Sequence, residues 1–61
     1  MSVYVLKEIG GNRYRHCDPI NGEHWGPKDG AFEFSSVEEA IKFGPYYTGN
    51  KPFQVVEIEE G

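Results

Sequence analysis

Phe34-Ser35-Ser36-Val37-Glu38-Glu39-Ala40-Ile41-Lys42-Phe43-Gly44-Pro45 decides the fold, because it holds both a helical start and a helical stop. Ser36 is placed to accept from the backbone N–H of Glu39 while the Glu39 side chain reaches back to the Ser36 N–H, a capping box. Glu38 and Glu39 fall in the first turn, where the positive end of the helix dipole favours carboxylates. Val37, Ala40 and Ile41 stand at i, i+3 and i+4 with Phe43 at the margin, which predicts an apolar stripe facing a core and leaves Glu38 and Lys42 to water. Gly44-Pro45 predicts the stop, since glycine accepts a left-handed cap and proline cannot continue the ladder. A helix of two turns is unstable alone, so it must lie on a sheet.

Strand candidates flank it. Val3-Tyr4-Val5-Leu6-Lys7-Glu8-Ile9 is a β-branched and aromatic run of strand length, and its imperfect alternation suits a strand covered on both faces. Gly10-Gly11-Asn12 supplies a tight hairpin, returning through Arg13-Tyr14-Arg15-His16-Cys17-Asp18, a polar run expected near a sheet edge. Asp18-Pro19-Ile20-Asn21-Gly22 and Pro27-Lys28-Asp29-Gly30 are turns around a short third strand at Glu23-His24-Trp25. Ala31 to Phe34 leads extended into the helix. Gly44 to Pro52 is expected to be a surface loop, Phe53-Gln54-Val55-Val56-Glu57-Ile58-Glu59 the last strand, and Glu60-Gly61 a frayed end. The order predicts a single α+β domain over residues 1–61, an antiparallel or mixed sheet of three or four strands with one short helix on one face. Its core candidates are Val3, Val5, Leu6, Ile9, Trp25, Phe32, Phe34, Val37, Ile41, Phe53, Val55, Val56 and Ile58.

Taken together, Tyr4-Val5-Leu6-Lys7 with its glycine hairpin, Trp25-Gly26, Phe34-Ser35-Ser36-Val37-Glu38-Glu39-Ala40 and Phe53-Gln54-Val55-Val56-Glu57 resemble a ββ(β)αβ pattern of small, mostly uncharacterised phage and bacterial proteins. The resemblance implies a fold and a mobile-element origin, and such phage-encoded proteins act by binding and redirecting a host protein. It transfers no functional residue.

Size and charge narrow the function. Sixty-one residues build a scaffold with little left to enclose a pocket of about 300 Å³ or more, so the expectation is no enzyme and no cofactor. Ten acidic against six basic residues give a net charge of −4, the wrong sign for generic nucleic-acid or anionic-membrane binding. One cysteine, Cys17, excludes an internal disulfide and points to a reducing, cytoplasmic setting. No apolar run approaches 18 residues and no signal-type leader is evident.

The favoured reading is a non-enzymatic module that binds a protein through Tyr46, Tyr47 and Trp25, since exposed Tyr and Trp give large contact area at low entropic cost. An uncovered sheet edge offers strand addition or homodimer formation. The alternative is a nucleic-acid contact in which Lys7, Arg13 and Arg15, joined by Lys28, flank Tyr14 and Trp25, basic groups around stacking platforms. A third reading places a metal or a reactive thiol at His16, Cys17 and His24, which are zinc-ligand types at no established spacing. Glu57, Glu59 and Glu60 form an acidic end that is a weak phosphate mimic or an ordinary solvated edge.

Overall fold

The computed structural model describes residues 1–18, 20 and 22–59. In chain order it holds β1 (Ser2–Glu8), β2 (Tyr14–Asp18), β3 (Gly22–Gly26), α1 (Val37–Thr48) and β4 (Phe53–Glu59). The four strands form one open antiparallel sheet in the order β3-β2-β1-β4, with α1 against one face. The α+β expectation therefore holds. The polar strand β2, expected near an edge, lies inside the sheet, and β3 and β4 form the edges. The turn predicted at 18–22 includes Pro19 and Asn21, and the frayed end is Glu60 and Gly61; those four lie outside the described residues.

The sheet is split. β1 pairs with β4 along its whole length and β2 with β3 along all five residues, whereas β1 and β2 register at Lys7 and Tyr14 alone. Beyond that pair the strands part and Phe32–Phe34 enters the fork. Phe34 exchanges both backbone bonds with Tyr4, at 2.9 and 2.7 Å, and the Phe32 N–H donates to the Arg15 carbonyl at 2.9 Å. The extended lead-in is thus a wedge that satisfies backbone groups the parted strands would leave unpaired.

The wedge delivers the core. Phe32 and Phe34 meet edge to face at 5.0 Å between ring centres, and Tyr47 packs on them at 4.8 and 5.7 Å. Leu6, Phe34 and Ala40 are buried at the centre, with Tyr4, Phe53 and Val55 around them. On the opposite face Val5 is fully buried beside its cross-strand partner Val56.

The helix departs from expectation at three points. Ser36 caps it as predicted, accepting from the Glu39 N–H at 3.1 Å, but the Glu39 carboxylate accepts from the Ser35 hydroxyl at 3.0 Å, so the reciprocal half of the capping box is replaced. The helix does not stop at Gly44-Pro45; it runs on to Thr48 and ends at Gly49, in the left-handed conformation with φ 66°. The Asn50 N–H donates to the Pro45 carbonyl at 2.9 Å, the six-to-one bond of a Schellman cap. Gly44 has no Cβ to collide with the ring of Pro45, which removes one obstacle to a proline inside the helix, and glycine is needed there on a second count. A Cβ on Gly44 would fall onto the Phe53 ring, with Cε2 and Cε1 only 2.7 and 2.8 Å away.

The third departure is the facing. Ala40, Gly44 and Thr48 point inward, while Val37, Ile41 and Phe43 are 42, 58 and 44 % exposed. Val37 and Ile41 are thus not core residues, and neither is Ile9, which is also exposed.

Candidate functional site

The residues proposed for contact separate. Tyr47 belongs to the aromatic core, whereas Tyr46, edge to face against it at 5.3 Å, is 79 % exposed. Consecutive helical residues stand about 100° apart, so one ring can enter the core only if its neighbour turns away. Trp25 is half-buried on the helix side of β3, opposite Arg15.

Arg15 links sheet and helix. Its guanidinium carbon lies 5.2 Å from the centre of the Trp25 ring, and its Nε donates to the Tyr47 carbonyl at 2.6 Å. The last turn of α1 contains no basic residue, so β2 supplies the cation that the negative end of the helix dipole favours. The other basic hairpin residues are dispersed. Arg13 grips Glu8 through two bonds, Nε at 2.9 Å and Nη2 at 2.8 Å. That pairing holds the Glu8 carboxyl below the ordinary glutamate range, chiefly through the hydrogen bond, and raises the Arg13 guanidinium in turn. Lys7 and Tyr14 oppose each other on the face away from α1. Lys7, Arg13, Tyr14 and Arg15 therefore do not converge on one surface.

His16 and His24 face each other across β2 and β3, their rings stacked at 5.0 Å and 21°. His16 Nε2 donates to the Pro27 carbonyl at 2.6 Å, and His24 Nδ1 donates to the Gly22 carbonyl at 3.2 Å. These bonds leave His16 Nδ1 and His24 Nε2 as the lone-pair nitrogens of the neutral rings. Lone pairs lie in the ring planes, so stacked rings do not aim them at one ion. Cys17 is exposed on the other face, opposite Glu23, as alternation along a strand requires. Among the described residues no group of three or more His, Cys, Asp or Glu side chains is placed to hold a metal.

Open depressions mark the surface of the described residues. One of about 360 Å³ lies between Lys28, Asp29, Gly30, Glu33 and Ile58; another, about 250 Å³, lies between Glu8, Ile9, Arg13, Trp25, Lys51 and Pro52. No described helix is long and apolar enough to cross a membrane.

The helix leaves two apolar flanks outside the core, and the core contacts place each. Tyr47 packs on the wedge between β1 and β2, and Gly44 on Phe53 of β4. At 100° per residue, rotation from Tyr47 through Gly44 leads to Val37, exposed at the start of the helix, and past buried Thr48 to Ile41, on the side of β4. Rotation the other way leads to Phe43 and Tyr46, on the side of β2 and β3, where Trp25 stands. Sequence reasoning missed both flanks, although the spacing of Ala40, Gly44 and Thr48 at i, i+4 and i+8 was the available sign of a helix seated closely through small residues. The chain matches no protein-family model, no curated protein and no solved structure.

Proposed function

We propose that this domain is a non-catalytic binding module that acts by protein contact, through the Phe43 and Tyr46 flank of α1 with Trp25 at its border. One observation carries the reading: the helix buries its small residues and leaves Phe43 and Tyr46 in solvent at 44 and 79 % exposure. Burying an aromatic ring in a partner contributes about 1.5 to 3 kcal/mol, and rings held on a helix lose little freedom when they bind. The net charge of −4 favours a partner whose contact surface is basic, with association that slows as salt rises. The nucleic-acid alternative has less behind it, since Arg15 is engaged by Tyr47 and Trp25 and Arg13 by Glu8.

The test pairs capture with crosslinking. A photoreactive residue at position 46 should crosslink to the same protein that the immobilised domain retains, and the Phe43→Ser, Tyr46→Ala double variant should fold yet retain none of it. Equal retention by the folded double variant would refute the assignment.

A further inference from the structure

We propose that the free edge of β4 is a self-association surface, where a second copy of this chain adds antiparallel and joins two four-stranded sheets into one. This inference goes beyond the partner contact above and does not depend on it, since it uses the opposite flank of α1.

The backbone shows which groups await a partner. Both main-chain groups of Tyr4 bond to Phe34, and the Glu8 N–H bonds to the Arg13 carbonyl, so the even-numbered residues of β1 point away from β4. Their partners across the ladder are Glu59, Glu57, Val55 and Phe53. In an antiparallel ladder both members of such a pair turn their N–H and C=O outward. Those four residues therefore present their main-chain groups along an edge where no strand pairs among the described residues. The edge is seven residues long with no proline inside it, and the exposed Val37 and Ile41 lie on the β4 side of the helix. Short edges, prolines and charged side chains are the usual defences against strand addition; β4 is neither short nor interrupted by proline, and the charges it carries are those of Glu57 and Glu59.

Charge selects the occupant and its register. A foreign strand would have to face the carboxylates of Glu57 and Glu59 with bases or apolar groups. A second copy supplies both. With a two-fold axis at Val55, outward-facing residues meet outward-facing residues: Val55 pairs with itself and Phe53 meets Glu57 of the second copy, while Lys51, whose own main-chain groups bond to Thr48 just before the strand, brings its exposed side chain toward Glu59 of that copy. An axis at Glu57 would oppose like charges. The Val55 axis runs through the sheet, so both helices stay on one face. Strands lie about 4.8 Å apart, and helices seated over β1 and β4 would stand roughly 10 to 15 Å apart across the axis, with the two Val37 and Ile41 flanks turned toward each other. An interface of about 800 Å² per copy would cover roughly a fifth of the 4249 Å² surface.

Sedimentation equilibrium of the whole chain from about 10 µM to about 1 mM should show the 6.9 kDa mass doubling with concentration. Glu57→Pro removes an outward N–H and leaves the β1 ladder bonds in place, so a folded Glu57→Pro variant should stay monomeric. Glu59→Lys or Lys51→Glu alone should weaken the dimer roughly 2- to 30-fold, from two exposed contacts per dimer, and the two together should restore it. Both side chains are exposed, so this charge swap decides the matter even if the proline variant fails to fold. A single 6.9 kDa species throughout, a dimer that persists in folded Glu57→Pro, or a double swap weaker than either single change would overturn the proposal.

Discussion

Gly44→Ala is the sharpest probe of how this domain is packed, because two effects of known sign oppose each other there. On an exposed helix face the change would stabilise by about 1 kcal/mol, since alanine is the better helix former. Here the new methyl would meet the Phe53 ring, with two ring carbons at 2.7 and 2.8 Å, inside any ordinary contact distance. The ring cannot swing away freely, because it packs against the core around Leu6, Phe34 and Ala40. Overpacking of this kind costs about 1 to 3 kcal/mol, and the methyl also crowds the ring of Pro45. The net expectation is a loss of up to about 2 kcal/mol, which in a domain of this size lowers the melting temperature by up to about 16 °C. Thermal and urea unfolding followed by circular dichroism would measure it. Trimming the obstruction should reverse the sign of the coupling: in the Phe53→Leu background, Gly44→Ala should cost little or stabilise. A higher melting temperature for Gly44→Ala alone would refute the close approach of helix and strand.

Tyr46→Ala should shift stability by under about 0.5 kcal/mol, whereas Tyr47→Ala should cost about 2 to 4 kcal/mol, because only Tyr47 is packed on Phe32 and Phe34; urea unfolding of the two variants separates them. Arg15→Met should cost about 1 to 2 kcal/mol through the lost Tyr47 carbonyl bond, with faster amide exchange in the last turn of α1 as the local signature. Glu8 titrates below the ordinary glutamate range because Arg13 binds its charged form, so the stability it confers is present above the unfolded pKa of about 4.3 and fades as pH falls through the lower folded value. The difference in melting temperature between the native chain and Arg13→Ala should accordingly vanish at acidic pH, and carbon-detected NMR of Glu8 should show its midpoint move up in the variant.

β1 and β4 were legible because they carry β-branched residues over a strand's length, and the polar β2 and β3, which carry none, because turn chemistry bounds them. The helix start was legible because Ser36 and Glu39 act locally. The stop was misread because two glycine signals compete within six residues. Gly44-Pro45 is the stronger local breaker, but Gly49-Asn50 followed by Pro52 is the signal the chain uses, and the ring of Phe53, distant in sequence, shows that Gly44 serves close packing and not a cap. The wedge of Phe32–Phe34 was likewise hidden, since a three-residue insertion between two strands leaves no periodic mark. Of the candidate contact residues, the pair Tyr46 and Tyr47 was visible as a pair, but which ring turns inward depends on the helix continuing through Pro45.

The facing of α1, which buries Ala40 but turns Val37, Ile41 and Phe43 outward, follows from what already fills the space beneath it. Phe32, Phe34 and Tyr47 form one aromatic cluster, and Phe53 presses on the helix from β4. With that volume supplied by the wedge, the strands and one ring of the helix itself, the helix can approach only through Ala40, Gly44 and Thr48, and any larger residue at those positions would lift it off the sheet. Its remaining large apolar residues then have nowhere to go but outward, onto the flanks over β4 and over β2. The crowding that requires a glycine in mid-helix is thus the same crowding that exposes Ile41, Phe43 and Tyr46, and relieving it would turn contact surface back into core.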